Sequence, residues 1–486
     1  MFAEYVYEKS PAKYAKQLLL IDEDKLTNDA RLKEVFSDRG FKVVIYQDDL
    51  RFRIEYEDVI KSGEKRIAVI AGPGQYIPYD IRKCLTVYEL SLEELFPRLD
   101  ATVIQEEAVD YDLVSAAYEK TYDHYHTPAA TEQFLKTEVY SRDNIQRNLE
   151  ARILKIQERA ASCTKYREWF KIAEEKAAID VLRIQHDIDL DTTEINRLFQ
   201  DYILGAYKSF SSVVDTDSPV LVCKAMDYMH DHSKRFVIIV MDGMAEFDWN
   251  VLASSFAGIT YEKTSAFAMI PTVTSVSRQC LLSNKFPSQL LSPWTQSKEK
   301  QEFMDCARSL GFLDKQISYH RGYDADFSAV IRCGAIIIND IDDMVHGQKQ
   351  GRIGMLNDLG VMAKQKKLVD LTKRLLTAGF DVYITADHGN TTRKGIGKLM
   401  SSGVETETKS RCMLVLKDFA DKESLKSKYD MLEFPKTYLP KEYDYLICNT
   451  GKSFDAKDEE VMSHGGISID ECVVPFIKIK AVENNG

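Results

Sequence analysis

The sequence predicts an α/β protein in three parts. These are a small α/β domain over 1–105, a helical middle region over 106–230, and a larger domain over 231–486 with a mostly parallel sheet between helices. Three observations predict this. Apolar, β-branched runs such as KRFVIIVMDG (234–243) recur between stretches of helical period, the pattern of strands buried on both faces. The stretch 106–230 instead places apolar residues three and four apart, with Pro only at positions 128 and 219. Hydrophobic residues make up 44% and charged residues 29% of the 486, a globular balance that excludes a disordered chain, a collagen and a minimal disulfide scaffold.

In the first part, QLLLIDED (17–24), FKVVIYQDD (41–49), RIAVIAGPG (66–74) and ATVIQ (101–105) read as strands, and LKEVFSDRG (32–40) as an amphipathic helix closed by Gly40. Asp22, Glu23 and Asp24 after the first strand suggest a receiver domain, but Ala71 and Gly72 stand where the third strand would need its acceptor Asp. AGPGQY has neither the GxGxxG nor the P-loop spacing, so it reads as a turn. In the middle part, His124, His126 and His186 have no carboxylate motif beside them and read as ordinary polar residues.

In the third part the predicted strands are KRFVIIVMDG (234–243), SAFAMIP (265–271), GAIIINDID (334–342), FDVYITADHG (380–389), RCMLVLKD (411–418) and CVVPFIKIK (472–480). Ligands of such sheets sit at the carboxyl ends of the strands. Asp242 follows the first strand. PTVTSVSR follows the second, with Thr272, Thr274 and Ser275 at a helix start. NDIDDMVHG follows the third, with Asp340, Asp342, Asp343 and His346. Asp387 and His388 follow the fourth, and His464 of SHGG precedes the last. Any one of these has a bland reading as a cap, a turn or a core histidine. Their coincidence at five strand ends points to metal.

Asp and His without Cys suits a hard-to-borderline divalent ion, zinc foremost and manganese second. Asp342 and His346, four apart, share a helix face. Asp387 and His388 are adjacent, so on a strand they would face opposite sides and could serve two ions. Paired ions about 4 Å apart are the apparatus of in-line phosphoryl displacement, and a threonine hydroxyl such as that of Thr274 becomes a competent nucleophile beside one.

The balance of 64 Lys+Arg against 76 Asp+Glu, net -12, argues against a general phosphate-coated surface. No zinc-finger spacing or basic stripe supports a DNA-binding module. No run approaches the roughly 18–20 apolar residues of a membrane span, and the N-terminus has no apolar signal region, so the expected location is the cytoplasm. The nine Cys are odd in number with no CxxC pair, as for reduced, buried thiols.

The order Asp, PTxT, DxxxH, DH, HGG resembles the alkaline phosphatase superfamily, and within it the PglZ family. LLLIDED, VVIYQDDLRFR, IPYDIRKCLTVYELSLEELFPRL and SHGGISIDECVVPFIKIK all resemble PglZ sequences. The resemblance implies an alkaline-phosphatase-like fold over 231–486. It implies one ion held by Asp242, Thr274, Asp387 and His388, another held by Asp342, His346 and His464, and Thr274 as nucleophile with Thr272 as fallback. The implied activity is a metal-dependent phosphodiesterase or phosphatase, a nuclease among the variants, in a bacterial phage-defence system. The alternative is a non-catalytic, metal-bound scaffold of a defence or signalling complex. The expected partners are a phosphoester substrate (an oligonucleotide or nucleotide among the candidates), protein partners of a defence complex and a second copy in a homodimer, with no membrane. Arg278 and Arg411 read as phosphate contacts or surface ion pairs, and Arg393, Lys394 and Lys398 as a basic rim or a solvated loop.

Overall fold

The computed structural model describes residues 1–106, 109–398, 410–416 and 422–481. Two compact units emerge, Met1–Ala151 and Arg152–Gly486. The stretch 106–230, expected as a region of its own, is shared between them. Helices Tyr111–Tyr118 and Pro128–Phe134 go with the first unit, and Tyr166–Gln185 and Thr193–Ala206 with the second.

The first unit carries a four-stranded sheet, all parallel, in the order Lys42–Ile45, Ile67–Ala71, Gln17–Asp22, Thr86–Leu90. Its core includes Leu19, Val69, Phe52 and Ile60. ATVIQ is not a strand. It lies in the helix Ala101–Glu106, because the Asp100 carboxylate accepts from the Thr102 and Val103 N–H groups and caps a helical turn that buries Val103 and Ile104. The fourth strand is Thr86–Leu90 instead, an edge strand with only Leu90 buried, and so without a continuous apolar run to announce it. Asp22 spends its carboxylate on the N–H groups of Leu26 (2.8 Å) and Thr27 (2.9 Å) and on the Thr27 hydroxyl, a structural cap.

The second unit is built on a six-stranded sheet in the order Glu262–Phe267, Val473–Ile479, Asp381–Thr385, Phe236–Met241, Cys333–Ile338, Ile317–Arg321. Val473–Ile479 runs antiparallel to both neighbours, and the remaining pairs are parallel, so five strands point one way and one is reversed. The segment leading into the reversed strand therefore arrives where the other strands end. Phe236–Met241 and Cys333–Ile338 are buried along their whole length, which accounts for their near-continuous apolar sequences.

Helix Tyr166–Gln185 buries Trp169, Phe170, Ile172, Ala173 and Ala177 and packs on helix Glu246–Leu252. On Phe267 of the edge strand, Phe210 stacks at 4.6 Å between ring centroids and Phe170 packs tilted by 51° at 4.8 Å. RCMLVLKD does not join the main sheet. Its strand Met413–Leu416 pairs antiparallel with Asp444–Cys448, which also pairs with Met431–Glu433, around a core of its own with Cys412, Leu414, Leu446 and Cys448. A short, wholly buried apolar run looks the same in either kind of sheet.

Candidate active site and metal centre

The strand ends converge as the direction of the sheet requires. Asp242 follows Met241, and its N–H extends the ladder to the Ile338 carbonyl (2.9 Å). Gly243 then turns the chain at φ +75°. Asp387 and His388 lie beyond Thr385, in the turn after the strand, so strand alternation does not apply to them and both face Asp242. Asp342 and His346 lie one turn apart on helix Asp340–Gly347. Thr274 is the first residue of helix Thr274–Ser283. His464 follows the strand Glu460–Ser463.

Two clusters result. Asp242, Asp387 and His388 are wholly buried, and Asp342, His346 and His464 lie nearer the surface; within each, the ligand atoms lie within 4.8 Å of one another. The His388 and His464 rings stack at 4.2 Å, placing the clusters side by side. The Thr274 hydroxyl lies 3.1 Å from His388 Nε2 and 3.4 Å from Asp242 Oδ1. A cleft of about 600 Å³ opens on the site, lined in part by Thr274, Ser275, Trp294, Asp342, His346 and Arg411.

The donor chemistry favours cations. His464 Nδ1 faces the Thr272 carbonyl at 2.9 Å and must donate to it, and His388 Nδ1 does the same to Gly389 O at 3.1 Å. Each ring then presents a bare Nε2 lone pair to carboxylate oxygens: His464 to Asp342 Oδ1 (3.4 Å), and His388 to Asp387 Oδ2 (3.7 Å) and Asp242 Oδ1 (3.8 Å). Asp342 Oδ1 and Asp387 Oδ2 are buried with no hydrogen-bond partner. Acceptors converging on acceptors fit a divalent ion in each cluster.

The electrostatics agree. Burial, then the neighbouring Asp387 charge, raises the Asp242 carboxyl well above its ordinary range, against the pull of Arg278. Burial, with His388 beside it, pushes His464 down to about 3. At Asp342 burial works upward, but the His346 hydrogen bond and the nearby His464 and His388 outweigh it and hold the carboxyl low. His346 is raised by that same hydrogen bond.

Residues 222–479 match the family described as "BREX system PglZ alkaline phosphatase-like domain", just over half of the chain. The chain belongs to the PglZ family. Its second unit accordingly has an alkaline phosphatase-like fold. No curated protein matches this PglZ chain. Among solved structures, it is similar to murine ectonucleotide pyrophosphatase/phosphodiesterase 5 at 12% identity and a TM-score of 0.36, over 50% of this chain and 88% of that one. The human counterpart gives 12% identity and a TM-score of 0.37, over 50% and 87%. Phosphonoacetate hydrolase from Sinorhizobium meliloti gives 12% and 0.30, over 52% and 92%.

Several residues of the PglZ site stand elsewhere than the sequence suggested. Arg278 is not a surface ion pair. It is buried, one helical turn beyond Thr274, and its guanidinium joins Asp242 Oδ2 to Glu299 Oε2. Arg393 is not on a rim but buried against Glu471, while Lys394 pairs with Asp458 (3.0 Å) at the surface and Lys398 is exposed. Arg411 pairs with Asp455 at 3.3 Å on the wall of the cleft. The Thr272 hydroxyl lies against Glu471 Oε1 (3.3 Å) rather than in either Asp/His cluster. It donates to Gly466 O and accepts from Gly465 N (3.0 Å each), stitching PTVT to HGG. Asp340 accepts from Tyr323, and Asp343 is exposed.

Sequence reasoning passed over the supporting groups. Asn390 Nδ2 donates to Gly243 O (2.9 Å) and Asp248 Oδ2 (2.6 Å), and Arg352 grips Asn390 Oδ1 (2.7 Å). Asn390 directly follows the DHG of TADHGN, and that adjacency is the one signal that could have found it.

Proposed function

We propose that the second unit is a two-metal phosphoester hydrolase with Thr274 as nucleophile, acting on a phosphodiester or monoester. The observation that carries this reading is the pairing of two adjacent Asp/His clusters, each with a buried carboxylate oxygen left unpartnered, with the hydroxyl of Thr274 at the start of a helix against one of them. Asp242, Asp387 and His388, with Thr274, would hold one ion, and Asp342, His346 and His464 the other; zinc is the first candidate and manganese the second. Bound there, divalent ions supply charge neutralisation and a lowered hydroxyl pKa.

The chain's own residues do the rest. Thr274 presents its oxygen to phosphorus from a helix N-terminus, whose first N–H groups face phosphate oxygens. Asp242 and His388 accept the hydroxyl proton's hydrogen bond and fix its direction. The threonine oxygen–phosphorus bond forms as the bond from phosphorus to the alcohol oxygen breaks, the hydroxyl proton passing by way of His388 or Asp242 and solvent to the departing alcohol. Water then cleaves the phosphothreonine, giving its oxygen to the released phosphate and a proton back to Thr274. The family's place in a BREX system supports a role in bacterial defence, in the cytoplasm and with protein partners. Among the described residues no helix is long and apolar enough to cross a membrane.

Elemental analysis coupled to hydrolysis of bis(p-nitrophenyl) phosphate and p-nitrophenyl phosphate tests this. We expect turnover in the wild type and a loss of roughly a thousandfold or more in Thr274→Ala with the ions retained. Ions without turnover in the wild type would favour the scaffold, and full activity in Thr274→Ala would end the assignment of the nucleophile.

A further inference from the structure

A second place in the molecule brings nitrogen ligands together. His124 and His126 flank Tyr125, which forms a parallel bridge to Leu99. Residues two apart on extended chain project from the same side. The backbone between them is held from both directions. Tyr125 N–H donates to Arg98 O at 2.7 Å, and Tyr125 O accepts from the buried Thr131 hydroxyl at 2.6 Å. The Tyr125 ring packs on Phe134 at 4.8 Å. Thr127 then caps the helix Pro128–Phe134, fixing the chain just beyond His126.

The two imidazoles face each other at 5.1 Å between centroids and 28° between planes, with His124 Nδ1 3.1 Å from His126 Nε2. Both side chains are exposed. A metal–nitrogen bond of about 2.05 Å to each of two atoms 3.1 Å apart gives a bite angle of about 98°. That lies between the cis angle of a square or octahedral ion and the tetrahedral angle, so the nitrogen separation suits one shared ion, and a turn of the exposed rings about their side-chain bonds aims both lone pairs at it.

We propose that His124 and His126 form a peripheral site for one borderline divalent ion (zinc, nickel or copper(II)), open to solvent in its remaining positions. Imidazole without thiolate or a carboxylate cage selects this class over calcium or magnesium. The site lies in the first unit, independent of the clusters around Asp242 and Asp342. It therefore bears on any metal count, since total zinc exceeds the content of the two clusters by one equivalent.

The competing account of the same 3.1 Å separation is an N–H···N hydrogen bond with no metal affinity. Titration of the metal-loaded full chain with Zn²⁺ by calorimetry decides between them, alongside the electron paramagnetic resonance spectrum of added Cu²⁺. We expect one further equivalent with micromolar affinity and two nitrogen couplings on copper. His124→Ala and His126→Ala should each weaken it at least about tenfold, while leaving phosphoesterase turnover and the circular dichroism unchanged. No further equivalent, or one that survives in both variants, overturns the proposal. If the clusters around Asp242 and Asp342 bind nothing, the peripheral equivalent still appears, so the two readings fail separately.

Discussion

At the scale of single residues, the question is what balances the buried carboxylates. Asp242, Asp387 and Glu299 are all buried, and Arg278 lies among them with its guanidinium on two of the three. A metal ion and Arg278 would then neutralise overlapping charge. Arg278→Met should cost the metal-free protein about 3–5 kcal/mol, as removing one partner of a buried pair does. The rise in unfolding temperature on adding zinc should be larger in the variant than in the wild type. Equal metal-induced shifts would reduce Arg278 to packing. Proton competition gives a second expectation. His346 is raised by its hydrogen bond to Asp342, and it must be neutral to bind a metal. Zinc affinity of the Asp342 cluster, read by chelator competition, should therefore fall roughly tenfold per pH unit as the pH drops through that raised value, for the one proton displaced. His464, already near 3, adds no competition around neutrality. Asp242, Asp342, His346, Asp387, His388 and His464 could be singled out because each stands near a recognisable apolar run, and the structure gathers them into two clusters. Arg278 was visible, but its role was not, because Glu299 comes 21 residues later on a different helix and nothing in the sequence pairs them.

At the scale of elements, the turns do the positioning. Gly389 closes the DHG turn against the segment that follows HGG. A Cβ there would stand 2.1 Å from the Asp470 carbonyl oxygen and 3.1 Å from the Ala245 backbone. Gly389→Ala should therefore destabilise the second unit by more than about 3 kcal/mol in urea unfolding, and urea unfolding with added zinc should find its protection diminished. Ser277 links helix Thr274–Ser283 to that turn, accepting from Met269 N (2.9 Å) and donating to the Asp387 carbonyl. Ser277→Ala leaves two buried backbone groups unpaired, at an expected cost of about 1–3 kcal/mol in urea unfolding. Element type was readable where runs were long, as in FVIIVM and CGAIII. It failed at ATVIQ, where one capping carboxylate decides helix over strand, and at the exposed strand Thr86–Leu90.

For the whole molecule, alternation of apolar runs and helical stretches was enough to give the fold class. It could not tell which sheet Met413–Leu416 enters, nor that Val473–Ile479 is reversed, because direction and pairing leave no periodic mark. The allotment of helices to units was equally silent, since the apolar stripe of Tyr166–Gln185 does not name its partner. Both clusters lie within Arg152–Gly486. Chelation should thus lower the calorimetric transition of that unit, by as much as about 4 kcal/mol where metal stands a thousandfold above its dissociation constant.

The reversed strand has a consequence for biosynthesis. Val473–Ile479 is second in the sheet but comes after the other five in the chain, and the edge strand Glu262–Phe267 pairs along its length with it. A ribosome therefore delivers Asp242, Thr274, Asp342 and Asp387 well before the strand that completes the sheet, and His464 arrives just ahead of that strand. The nascent chain thus carries an unfinished site until that last insertion, and the proposed activity would begin only as folding ends.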